Sequence, residues 1–234
     1  MEEHRMLVII IIILLILLIF ISIKERYVQR IVARFSYKKG GESYFENINY
    51  KNETSLYKYY HKQGNIVMLG NSITYRVNWN ELLDRNDIIN RGINNDITEG
   101  FLNRISDIVN VNPKICFIMG GVNDIRRGVA PLIVKTNIKK LIGILQNNKI
   151  KPVIFSILYV ADTHPDYYKV NAKIKQANEL IKETCKNTNT AFIDLNEKLG
   201  NNNILRKEYS LDGLHLTGLA YQKWGEVIIE YLDK

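Results

Sequence analysis

From Gln63 onward, short apolar runs alternate with longer stretches of helical periodicity, and this alternation restricts the chain more than any other feature. Ile66–Leu69, Asp87–Asn90, Lys114–Met119, Pro152–Leu158 and Ala191–Asp194 read as strands. Thr98–Val109, Ala130–Gln146, Val170–Cys185 and Thr217–Leu232 read as helices, the last with Leu219, Val227, Ile228 and Tyr231 at helical spacing. Strands separated by helices pair in parallel, with the crossovers covering the sheet. The run Ile115-Cys116-Phe117-Ile118-Met119 is apolar at every position, as a strand covered on both faces requires. Residues 63–234 are therefore expected to form one α/β domain on a five-stranded parallel sheet. With 46% hydrophobic and 24% charged residues, a wholly disordered chain is excluded. No internal repeat is visible, and the Asn-rich patches at 94–95, 147–148 and 201–203 fit turns.

Ahead of this domain, Met6 to Ile23 is apolar except for Ser22. As a helix it spans roughly 27 Å, close to the ~30 Å hydrocarbon core of a bilayer. A buried core helix would keep a polar stripe, and this segment has none. A cleaved signal peptide would carry a basic leader and a small-residue cleavage site, whereas the leader here is Met-Glu-Glu-His-Arg. Residues 1–24 are thus expected to be a retained transmembrane anchor, giving a single-pass membrane protein. Beyond it, Ile23, Tyr27, Ile31 and Phe35 recur every fourth residue beside Arg26, Arg30 and Arg34, the pattern of a helix at the headgroup boundary. A solvated charged helix is the other reading of this stretch. Gly40-Gly41 then opens a polar, Tyr-rich connector that runs to Lys62 and completes a juxtamembrane region, residues 25–62.

The formal charge is +8, and most of the excess follows the apolar segment: residues 24–62 hold nine Lys/Arg against four Glu. That position favours membrane phosphates as the partner, and no base-stacking motif argues for nucleic acid. The same cations place the main domain in the cytoplasm by the positive-inside rule. Two cysteines make no disulfide framework, and four dispersed histidines make no metal motif.

The chemistry is expected where open α/β sheets carry it, beyond the carboxyl ends of the strands. Ser72 follows the first strand, Gly92 the second and Asn123 the third, while Asp212 stands three residues before His215 near the end of the chain. Alone, a Ser after a strand is ordinarily a helix cap, and a Gly or Asn there a turn residue. Together they supply the nucleophile, base, orienting acid and amide donors that acyl transfer needs.

With these residues in this order, the chain resembles the SGNH (GDSL-type) esterase and acylhydrolase family over about residues 63–234, down to the closing Asp212-Gly213-Leu214-His215-Leu216-Thr217. It looks most similar to the acetylhydrolase type, with platelet-activating-factor acetylhydrolase subunits and bacterial carbohydrate acetylesterases. The resemblance implies a flavodoxin-like three-layer α/β/α sandwich. It implies Ser72 as nucleophile, His215 as base and Asp212 as its orienter. The oxyanion hole would comprise the Ser72 and Gly92 backbone N–H groups and the Asn123 amide, with no metal or organic cofactor. Two positions depart from the pattern: Asn71 replaces the Asp of Gly-Asp-Ser, and Asn95 stands where a second Gly is common.

Among the remaining polar residues, Asp124 is expected to brace its own loop, His164 to lie in a loop, Arg126 and Arg127 to face solvent, and Cys116 to be an inert core thiol. The leading expectation is a membrane-anchored serine esterase removing small acyl groups, acetyl first, from a glycan or lipid. A lysophospholipase or thioesterase, and a catalytically silent binding protein on the same frame, are the alternatives. Family members acting on exported glycans would place the domain outside the cytoplasm, against the charge rule.

Overall fold

The computed structural model describes residues 43–233, together with Met6 and Leu14. Apart from those two, the residues of the expected anchor and of the amphipathic part of the juxtamembrane region lie outside this description. Among the described residues no helix is long and apolar enough to cross a membrane.

Five strands form the predicted sheet: β1 (Ile66–Gly70), β2 (Ile88–Gly92), β3 (Ile115–Met119), β4 (Lys151–Phe155) and β5 (Ala191–Ile193). All pairs are parallel, in the order β2-β1-β3-β4-β5, which is the flavodoxin order. Two short helices, α2 (Ser72–Tyr75) and α3 (Trp79–Leu82), join β1 to β2. Then come α4 (Thr98–Asn103) and α5 (Ile105–Val109) before β3, α6 (Val122–Arg126) and α7 (Pro131–Asn147) before β4, and α8 (Tyr167–Asn187) before β5. A four-residue α9 (Asn196–Leu199), a hairpin of β6 (Gly200–Asn201) with β7 (Ile204–Leu205), and α10 (Gly218–Leu232) close the chain.

Right-handed crossovers put α4, α7 and α8 on one face and α3 with α10 on the other. On the α10 face, Phe117 and Phe155 stack at 5.5 Å, and Trp224 meets Phe155 edge-on at 5.3 Å and Trp79 at 4.8 Å. Every residue of β1 is buried, which explains why the strands were legible as unbroken apolar runs.

Three local differences have physical causes. The helix expected over Thr98–Val109 breaks at Arg104 (φ −107°, ψ 17°), whose side chain turns inward to a buried ion pair with Asp96. The strand expected to reach Leu158 ends at Phe155, yet Ser156–Ala161 stays buried. Its backbone is paired by side chains instead: Asn178 bonds both the N–H and C=O of Ile157, Asn171 does the same at Val160, and Asn196 accepts from Tyr159 N and donates to Ile157 O. Buried peptide groups must find partners, and three amide side chains provide them here.

The third difference concerns the connector. Ile48–Tyr57 forms a ten-residue helix, α1, capped by Asn47. Tyr50 and Tyr57 pack with Ile93 in a small second core, and Tyr44 joins them. Asn103 donates to the Tyr50 hydroxyl at 2.9 Å, and Asn47 to the Asn94 carbonyl at 2.9 Å. Packing against the sheet domain thus begins well before Gln63.

Candidate active site

The site forms where β1 and β3 end, at the switch point of the sheet. Asn71 caps α2, its side-chain oxygen accepting from Ile73 N at 3.0 Å, and this places Ser72 at the first helical position. There the Ser72 N–H has no intrahelical partner. Behind it, Trp79 Nε1 donates to the Thr74 carbonyl at 3.0 Å and Tyr221 OH to the Ile73 carbonyl at 2.6 Å, fixing the short helix. Ser72 is buried apart from its outer edge, 8% exposed.

The loop bearing Asp212 and His215 is held from three sides. Ala161 N donates to the Gly213 carbonyl at 2.8 Å, so the Asn-braced segment after β4 supports it directly. Ser210 bridges to Leu216, and Thr217 N donates to the Tyr209 carbonyl at 2.9 Å. Gly213 takes φ +80°, a left-handed turn that a glycine allows at no steric cost.

The structure brings Ser72, His215 and Asp212 into one hydrogen-bonded line. Ser72 Oγ lies 3.0 Å from His215 Nε2, and His215 Nδ1 lies 2.6 Å from Asp212 Oδ2. The other carboxylate oxygen accepts from His215 N at 2.7 Å and Leu214 N at 3.0 Å. Partial burial pushes the Asp212 pKa upward, but the bonds from the His215 ring and from these two backbone N–H groups outweigh it. The carboxyl is held well below its usual range.

Asn123, on α6, is 5% exposed and donates one amide hydrogen to the Asp96 carbonyl at 2.9 Å, while the second has no partner among the described residues. Asp96 pairs through its carboxylate with Arg104 Nε at 2.9 Å, and Arg104 Nη2 donates to the Gly70 carbonyl at 3.1 Å. The end of β1, the loop after β2 and α6 are thereby tied together by one buried guanidinium.

Gly92 departs from its expected role. It is a β2 residue paired with Gly70, and its N–H already donates to Asn90 Oδ1 at 2.8 Å. Its missing side chain serves packing, because a Cβ there would collide with the Tyr75 backbone nitrogen. Three residues on, Asn95 takes φ 61°, and its N–H has no partner among the described residues. Arg127, expected in solvent, donates to the Asn95 carbonyl at 3.0 Å. The sequence signal for this position was the tolerance of asparagine for left-handed angles.

Asp124 is a structural residue, but the segment it braces is the start of α4 and not its own loop: it accepts from Thr98 Oγ1 at 2.6 Å and Thr98 N at 3.1 Å. Burial pushes its carboxyl up to about 7, against the lowering effect of those bonds. His164 lies in the loop beside Gly213, its Nδ1 on the Pro165 carbonyl at 2.7 Å. Cys116 is fully buried, and burial raises its thiol far from reactivity. Among the described residues no cluster of His, Cys, Asp or Glu could hold a metal ion.

The GDSL-like lipase/acylhydrolase family matches over residues 68–223. The chain belongs to this family. It is accordingly a hydrolase of ester bonds, and the matched span runs from β1 into α10, past Ser72 and His215. A GDSL-like lipase from Bacteroides thetaiotaomicron superposes with a TM-score of 0.70 at 25% identity, covering 79% of this chain and 97% of that one. A lipase/acylhydrolase from Enterococcus faecalis reaches 0.63 at 22% identity over 73% and 95%. A variant of a Geobacillus acetyl-xylooligosaccharide esterase shares the fold, at 0.60 and 16% identity over 72% and 94%. N-acylneuraminate cytidylyltransferases of Streptococcus agalactiae are 28% identical over 116 residues, 50% of this chain and 27% of theirs. The chain spans about a quarter of the length of these curated relatives.

Proposed function

We propose that this GDSL-type hydrolase is a membrane-anchored serine esterase that releases small acyl groups, acetyl first, from an acylated glycan. The unbroken line Ser72–His215–Asp212 is the observation that carries the reading. His215 Nε2 takes the Ser72 hydroxyl proton as the oxygen attacks the ester carbonyl, and then delivers it to the departing alcohol. Asp212 keeps Nδ1 protonated and stabilises the imidazolium. The developing oxyanion is met by the Ser72 N–H and the free hydrogen of the Asn123 amide, with the Asn95 N–H as third donor in place of Gly92. Water then hydrolyses the acyl-enzyme by the same route, with no cofactor. The Asn71 departure leaves this chemistry intact, since the side chain at that position acts as a helix cap.

The glycan reading draws on an acetyl-xylooligosaccharide esterase among proteins of the same fold and on relatives that handle an acylated sugar acid. Residues 6–23 are proposed as the anchor, and a C-terminal topology reporter distinguishes a cytoplasmic domain from an exported one. One feature favours a lipid substrate instead: Leu211, next to Asp212, is 94% exposed, and Tyr75 and Leu219, three and four residues along the chain from Ser72 and His215, are also exposed. A rim of this kind would seat acyl chains.

Ser72→Ala decides the catalytic assignment. The variant is expected to keep its melting temperature and to lose p-nitrophenyl acetate hydrolysis. Retained turnover in a folded variant removes Ser72 as nucleophile. Preference for acetyl over long-chain esters supports the glycan reading, and the reverse preference supports the lipid one.

A further inference from the structure

At the end of the sheet opposite Ser72, where Gln63 and Asn110-Val111 lead into β1 and β3, lies a cavity of about 350 Å³. Arg91, the fourth of the five residues of β2, forms part of its wall and is only 5% exposed. Its guanidinium sits 4.3 Å from the Tyr57 ring centre and 5.6 Å from that of Tyr60. Among the described residues its one hydrogen bond runs from Nη1 to its neighbour's carbonyl, Asn90 O, at 3.3 Å, while Nε is buried without a partner. Lys58 and Lys62 line the same cavity, and Asp107 is the only carboxylate among the lining residues, not ion-paired to Arg91.

A guanidinium taken out of water without a counter-charge is costly, and aromatic faces offset only part of that cost. The burden is visible in Arg91, whose pKa is pushed below its ordinary value by burial. What the cavity lacks is an anion in contact with Arg91, since Asp107 acts on it without an ion pair. A guanidinium offers a planar fork and each ammonium a point charge with three donors, a set that matches several oxygens around one phosphorus better than a single carboxylate. The cavity is also roomy enough to admit the ester to which such a group is attached.

We propose that this cavity is a second ligand site, distinct from the esterase centre, which binds a phosphoryl group through Arg91, Lys58 and Lys62 between the rings of Tyr57 and Tyr60. The group belongs either to an anionic phospholipid headgroup or to a soluble phosphate ester. Because Tyr57, Lys58, Tyr60 and Lys62 come from the segment leading out of the N-terminal region, occupancy would lock α1 and its following turn onto β2.

The test uses the full chain in neutral detergent micelles, with melting temperature read against inorganic phosphate, glycerol 1-phosphate, and phosphatidylglycerol in mixed micelles. Potassium chloride of matched ionic strength and phosphatidylcholine are the controls. A ligand that binds only the folded state raises the melting temperature in proportion to its saturation. At least one phosphoryl ligand is expected to do so beyond its control, and Lys58→Gln/Lys62→Gln to weaken that ligand about tenfold or more. Stabilisation by inorganic phosphate or glycerol 1-phosphate identifies a soluble ester as the source, and stabilisation by phosphatidylglycerol alone identifies a headgroup. No shift beyond the controls with any of the three overturns the proposal. So does equal affinity in the double-lysine variant, or wild-type binding by a folded Arg91→Gln protein. Should Arg91→Gln not fold, the exposed lysine pair still decides.

Discussion

Asn123 is aimed by Asp96: its amide donates to the Asp96 carbonyl at 2.9 Å, so a side chain of the candidate site on α6 takes its orientation from the loop after β2. The same loop holds Asn95 in its left-handed conformation, and Arg127 from beyond α6 reaches back to the Asn95 carbonyl. Two amide donors from different crossovers are thereby fixed relative to each other before any substrate arrives. Such preorganisation is where electrostatic catalysis gains most.

Asn123→Ala removes one of these donors without touching Ser72 or His215. It is expected to lower kcat by about 10²–10³ while leaving KM for p-nitrophenyl acetate nearly unchanged. A matching rise in KM with kcat preserved would make Asn123 a ground-state binder instead.

Arg104 and Asp96 form a pair that is almost wholly buried, with side chains 1% and 0% exposed. Removing one partner strands the other's charge, so Arg104→Met is expected to destabilise the fold by about 3–5 kcal/mol in urea unfolding. Arg104→Met/Asp96→Asn should be less harmful than the single change, since no lone carboxylate remains. A double variant worse than Arg104→Met would mean that the pair contributes mainly through its shape.

Asp212 and His215 are separable by kinetics. Asp212→Asn is expected to cost roughly 10–100-fold less kcat than His215→Ala, because the orienter holds the proton carrier and does not itself carry the proton. The Asp212 carboxyl is held below the ordinary range by its three N–H donors, so it stays ionised across the working pH. In an Asp212→Glu variant, which keeps the charge, the acid limb of kcat/KM should therefore keep its position. A limb that moves with Asp212 would mean that its own titration controls the rate.

The parts of the fold that were legible are those written in contiguous residues. Strands β1 and β3 announce themselves as apolar runs, and Ser72, Asn123 and the Asp212–His215 pair stand at fixed offsets from strand ends or from each other. The support for the Asp212–His215 loop was not legible, because Asn171, Asn178 and Asn196 are scattered over 26 positions and become a set only when they meet the backbone of Ser156–Ala161. Gly92 misled for a related reason. A glycine after a strand can mean a free N–H or a close approach, and only the position of Tyr75 distinguishes them. Helix α1 was hidden because its burial rests on two tyrosines seven residues apart, with polar residues filling most of the interval.

That helix sets where the chain can be cut. Removing residues 1–62 would take away Tyr50 and Tyr57, uncover Ile93 and leave the buried Arg91 open to water. A protein beginning after Gly41 keeps all of these contacts. It is expected to melt higher and aggregate less than one beginning at Gln63, while both retain Ser72 and its partners. Equal melting temperatures for the two would show that α1 adds nothing to the stability of the sheet domain.

Asp124 gives the fold a pH dependence of definite sign. In the folded chain its carboxyl titrates at about 7, pushed up by complete burial, whereas in the unfolded chain it titrates near its ordinary value of 3.8. Between these values the folded state holds a proton that the unfolded state has released. Stability at this position therefore falls as pH rises from about 4 to about 7, by at most about 1.4 kcal/mol per pH unit, and is level above that. Asp124→Asn keeps an oxygen that can accept from Thr98 but cannot ionise. The variant should thus gain on the wild type steadily between about pH 4 and about pH 7 in urea midpoints and then level off, since every other titrating group is common to both proteins and cancels. A difference that stays constant over this range would mean that the carboxyl is charged, or neutral, throughout.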